Sequence, residues 1–135
     1  MGFDTLLEIE YPKGSFLDQI GPDRVFLTRT QRMASSSIGL KTILLHANAP
    51  WEQVSELIYK TDIRPEDIHV FSRCTLCNAQ IVAVPRLAVQ ASVPDYVWNN
   101  QSSFSRCPRC GRVYWRGSHT ERALKRLSEI FSAKS

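Results

Sequence analysis

The feature that most constrains this chain is a short phrase printed twice. Phe71–Cys77 reads FSRCTLC and Phe104–Cys110 reads FSRCPRC, 33 positions apart, and these two copies hold every cysteine of the sequence. Four cysteines can form two disulfides, build one metal site, or stay free. The opening residues, MGFDTLLEIEYPKG, contain no basic leader. Such a start predicts a cytoplasmic protein, in which thiols stay reduced. The spacing then favours a metal. A Cys-x-x-Cys turn aims two thiolates at one point, and two such turns complete the tetrahedral sulfur shell that zinc prefers.

Cys74, Cys77, Cys107 and Cys110 are therefore the expected ligands of one structural Zn2+. Gly111 follows the second pair and Asn78 follows the first; both residue types tolerate the left-handed backbone a tight knuckle requires. Redox chemistry normally uses a single pair at a helix start. A catalytic zinc keeps one position open for water, and four thiolates leave none. Short strands are expected beside the knuckles: IHVF before the first pair and VYW after the second. Antiparallel strands crossing beneath a metal describe a zinc ribbon.

Charge divides the chain at the same place. Residues 1–70 carry 7 Lys/Arg against 10 Asp/Glu, and residues 71–135 carry 10 against 3, within an overall net charge of +4. A basic second half next to an acidic first half predicts two modules, the second attracted to a polyanion such as RNA or DNA. A solvated basic face is the bland alternative. No apolar run approaches the roughly 18 residues of a membrane helix.

The first half alternates strand-like and helix-like pieces. TLLEIE (residues 5–10), RVFLTRT (24–30) and KTILLHA (41–47) read as strands, and NAPWEQVSELIYKTD reads as a helix with Asn48 as its cap and Pro50 in its first turn. Trp51, Val54, Leu57 and Ile58 share one face of it. Strands alternating with helices indicate a small parallel α/β sheet. Between the knuckles, VPRLAVQASVPDYVWNNQ suits one or two short helical turns. SHTERALKRLSEIF is the clearest helix, with a Ser118/Glu121 capping box and an apolar stripe through Ala123, Leu124, Leu127, Ile130 and Phe131.

Taken in order, FSRCTLCNAQI, VPDYVW and CPRCGRVYWRGSHTER resemble the family named after the Mut-seven exonuclease C-terminus: PIN-like ribonuclease domains carrying a C-terminal zinc ribbon. The resemblance runs from about Gly2 to Leu127 and is tightest over 71–122. It implies a fold of α/β class, a partial PIN-like parallel sheet over residues 1–68, followed by a zinc ribbon with a C-terminal helix over 69–135. It also implies RNA as the partner, cleaved at clustered acids that hold Mg2+ or Mn2+. Two positions depart from the pattern. The chain opens at MGFDT, without the strand, helix and first Asp of the family, and Thr30 stands where an Asp normally follows LTR. Asp18 is then the candidate acid, and Asp23 lies near it. A sheet lacking one strand would call for a protein partner or a second copy to complete it.

Arg73 and Arg106 precede the two knuckles symmetrically, and Arg109, Arg112 and Arg116 extend the basic set. Arginine forks grip phosphate and aromatic faces stack on unpaired bases. These five, with His119, are the candidate nucleic-acid contacts. Trp115 is expected in the core, while Tyr114 is open to either role. A non-catalytic RNA- or protein-binding module is the rival to a ribonuclease.

Overall fold

A computed structural model describes residues 1–135 as two compact units, one formed by Met1–Thr5 with Pro65–Ala133 and Ser135, the other by Leu6–Arg64 with Lys134. The class is mixed α/β: a parallel two-stranded sheet with helices, an antiparallel three-stranded sheet, and a four-cysteine cluster of zinc-ribbon type. No helix is long and apolar enough to cross a membrane.

In the Leu6–Arg64 unit, β1 (Val25–Thr28) and β2 (Lys41–Leu44) pair in parallel, with Val25 opposite Lys41 and Thr28 opposite Leu44. Parallel neighbours need a crossover, and the chain makes it through α1 (Gln31–Ser36). Phe16, Phe26, Leu45 and Ile58 are buried here. Aromatic rings continue that core outward, with Tyr11 5.5 Å from Phe16 and Phe16 6.2 Å from Phe26. Helix α2 (Pro50–Lys60) begins with Pro at its first turn and drives Ile58 fully inside. Of the expected apolar face, Trp51 stays exposed.

Two expectations fail in this unit. Residues 5–10 form no strand. Glu10 N–H and Tyr11 N–H bond three residues back, to Leu7 O and Glu8 O, in a 3-10 turn over Glu8–Glu10. A strand persists only where a neighbour takes its amides; here local turns take them, and Leu7 and Ile9 face outward. Asn48 does not cap α2 either. Ala49 holds the cap position with no side-chain bond, and the Asn48 side-chain oxygen accepts from Arg29 instead.

In the other unit, β3 (Val82–Val84), β4 (Phe104–Arg106) and β5 (Val113–Trp115) form the antiparallel sheet in the order β3-β4-β5. Val84 pairs with Phe104, which pairs in turn with Trp115. Beneath it lies a core of Val89, Val93, Val97 and Phe104, joined by Val84, Trp98 and Val113. The segment between the knuckles supplies most of that core, through a 3-10 stretch at Arg86–Ser92 and α3 (Asp95–Asn100). Helix α4 (Ser118–Lys134) buries Thr120, Leu127 and Ile130.

Three corrections belong to this unit. IHVF is not a strand: Phe71 takes φ 58°, in the left-handed region, which ends any extended run there. The α4 cap is shifted by one residue. Gly117 occupies the cap position, so Thr120 rather than Glu121 meets it, its hydroxyl accepting from Gly117 N–H at 3.3 Å. Trp115 is 37% exposed rather than interior: it shares the face of Val113 and Phe104, but it is the last residue of the edge strand β5, where no further strand covers it.

Candidate metal centre

The two copies of the repeated phrase fold alike. In the first knuckle, Cys74 N–H donates to Ala79 O at 2.8 Å and Asn78 N–H donates to Cys74 O at 3.0 Å. In the second, Cys107 N–H donates to Arg112 O at 2.9 Å and Gly111 N–H donates to Cys107 O at 2.9 Å. Asn78 (φ 59°) and Gly111 (φ 76°) turn the chain through the left-handed region at matching places. Glycine reaches that region without strain, and asparagine is among the side chains that tolerate it best.

These turns bring the four sulfurs together, all within 4.8 Å of one another. Cys74 Sγ lies 3.5 Å from Cys110 Sγ, and Cys77 Sγ lies 3.4 Å from Cys107 Sγ. A tetrahedral shell with Zn–S bonds of about 2.3 Å has sulfur–sulfur edges of about 3.8 Å. The cluster is therefore of the right size for one dication and too open for disulfides, which need about 2.05 Å. Cys74 and Cys107 are buried, Cys77 is half-buried and Cys110 is exposed.

The electrostatics point the same way. The Tyr114 hydroxyl, helped by the amides of Cys77 and Leu76, draws the Cys74 thiol down to about 6. The Ala79 amide pulls Cys77 down too, yet the crowding sulfur of Cys107, burial, and the sulfurs of Cys74 and Cys110 push it up to about 12. Thiolates this close cannot all ionise without a cation between them. Four sulfur donors at these separations fit a metal such as zinc, which would leave no position for a reacting water.

Around the centre, the symmetric arginines turn inward. Arg73 donates to Gly2 O at 3.1 Å, Asn78 O at 2.8 Å and Asp4 Oδ1 at 3.2 Å. Asn78 donates to the same Asp4 oxygen at 2.7 Å. The N-terminal residues are thereby strapped to the first knuckle. Gly2 (φ +91°) passes so close that a Cβ would run into the His69 carbonyl. Arg106 donates to Ala88 O at 3.0 Å and lies 3.4 Å from Ser92 Oγ, and its Nε is buried without a partner. Arg109, Arg112, Arg116 and His119 are exposed.

Thr75 and Asp4 are contributors that sequence reasoning did not single out, and Tyr114 takes a place beside the sulfurs. Tyr114 sits on β5 with its hydroxyl 3.0 Å from Cys74 Sγ, and Thr75 N–H donates to that hydroxyl at 3.0 Å. Alternation along β5 was the available signal, since it puts Tyr114 on the face opposite Val113 and Trp115.

Asp18 lies in an exposed turn (Leu17–Gln19), Asp23 is also exposed, and the Thr30 hydroxyl is 3.4 Å from that of Thr28. The one group of three or more Cys, His, Asp or Glu side chains able to meet at a single ion is the cysteine cluster. Asp18 and Asp23 belong to no group of three or more such side chains.

Compared with known families, residues 1–127 match the Mut7-C RNAse domain. No curated protein and no solved structure matches the chain.

Proposed function

The chain belongs to the Mut7-C RNase domain family, and from that premise we propose that it is an RNA-directed protein of ribonuclease type. In this reading a structural zinc ion fills the four-cysteine centre, and the exposed arginines of the second knuckle grip phosphate. What carries the reading is the division of labour among the arginines. Arg73 and Arg106 are spent on backbone carbonyls. Arg109, Arg112 and Arg116 are exposed and bound to no other side chain. Arg109 lies within the Cys107–Cys110 turn, so a metal there would hold its backbone still. The partly exposed ring of Trp115 lies beside Arg116 in sequence. Single-stranded RNA presents both phosphate and unstacked bases to such a surface.

The zinc would supply folding energy, the chain's own arginines the contact. A second reading, a binding module without catalysis, is favoured by one observation: Asp18 is exposed in its turn and belongs to no cluster of three or more candidate ligands. Incubating the zinc-loaded protein with single-stranded RNA in Mg2+ or Mn2+ separates the two. Cleavage that EDTA and Asp18→Asn abolish supports the enzyme. Binding with intact RNA supports the module. Absence of binding at low salt contradicts both.

A further inference from the structure

The four sulfurs are not equivalently supported. Cys77 Sγ is served by the Ala79 amide and Cys110 Sγ by the Arg112 amide. Cys107 Sγ has the amides of Cys110 and Arg109. Cys74 Sγ has the amides of Leu76 and Cys77 and, in addition, a side chain: the Tyr114 hydroxyl at 3.0 Å. Tyr114 belongs to β5, the strand that leaves the second knuckle. Cys74 opens the first, 40 positions earlier.

We propose that Tyr114 is a positioning residue of the metal centre, one that locks the first knuckle to the second by donating its O–H to the Cys74 thiolate. The direction of the bond follows from its neighbours. Thr75 N–H donates to the tyrosine oxygen at 3.0 Å and fixes the ring's tip. The phenolic proton then has two acceptors in reach, Cys74 Sγ at 3.0 Å and Thr75 Oγ1 at 3.3 Å. An anionic sulfur is the stronger acceptor. The bond does two things. It drains charge from one of four crowded thiolates, and it closes a clasp between turns that the chain itself joins only through a long intervening segment. Partners of metal ligands of this kind typically change affinity about 10- to 100-fold when removed.

The inference rests on the four-cysteine centre binding a metal, and the test separates the two claims. Wild type, Tyr114→Phe and Tyr96→Phe, an exposed tyrosine away from the cluster, are titrated with Co2+ and then with Zn2+ in competition. Tyr114→Phe should bind about 10-fold or more weakly. Its sulfur-to-cobalt charge-transfer band should move to lower energy, because a thiolate without its donor gives up electrons more easily. Tyr96→Phe should match wild type in both. Weaker binding with an unmoved band would reduce Tyr114 to ring packing and overturn the proposal, as would unchanged affinity. Failure of the wild type itself to bind Co2+ would sink the metal centre, and the proposal with it.

Discussion

Glu56, on the inner side of α2, accepts the backbone N–H of His46 at 2.8 Å, just past the end of β2. Its carboxylate also accepts from Ala47 N–H at 2.9 Å and pairs with Lys60 at 2.6 Å. One side chain thus ties the helix to the strand that feeds it.

This clasp titrates. Lys60 first, then the amides of Ala47 and His46, draw the Glu56 carboxyl from 4.5 to about 2. A depressed carboxyl stabilises the fold fully above its unfolded value and loses that contribution as pH falls through its folded value. Glu56→Gln should therefore exchange the His46 and Ala47 amides faster than wild type near neutrality. The gap should narrow only between about pH 4.5 and pH 2. A gap that vanishes already at about pH 6, well above that window, would show that the carboxylate is not what holds these amides.

Ile58 is fully buried in the unit that carries the parallel sheet. Truncation to Ala leaves a cavity, and such changes cost about 2–5 kcal/mol. Urea unfolding of Ile58→Ala should fall within that range, while Tyr59→Ala, an exposed neighbour, should cost far less.

Cys107 is the most deeply buried of the four cysteines. Cys107→Ser should lose metal and, with it, the ordered β3-β4-β5 sheet, since structural zinc contributes about 10 kcal/mol or more to small metal folds. Retained zinc and retained amide protection in those strands would contradict this.

Replacing Arg109, Arg112 and Arg116 together with Gln should weaken binding to single-stranded RNA and flatten its salt dependence. Each phosphate contact on a single strand contributes about 0.7 to the slope of log K against log salt, so the slope should fall by about 2. An unchanged slope would move the contact surface elsewhere.

The knuckles were legible in the sequence because their geometry is local. Cysteine spacing, Asn78 and Gly111 specify a turn whose partners lie within a few residues, and the structure repeats it twice. The parallel strands were legible as apolar runs, although in β1 only Phe26 is buried and Val25 and Leu27 beside it stay exposed. What failed depended on distant partners. No spacing rule says that residues 5–10 lack a neighbour to pair with, or that Arg73 is claimed by Asp4, 69 positions away. The α4 cap slipped by one residue because Ser118 and Gly117 are both acceptable caps, and the chain entering from β5 decided between them.

The most direct test is the metal content of protein purified under reducing conditions, with its thiols counted in the same sample. One zinc per chain, with all four cysteines shielded from alkylation until a chelator removes it, is the predicted result. A chain free of zinc, or one whose cysteines are joined as disulfides, would contradict the account.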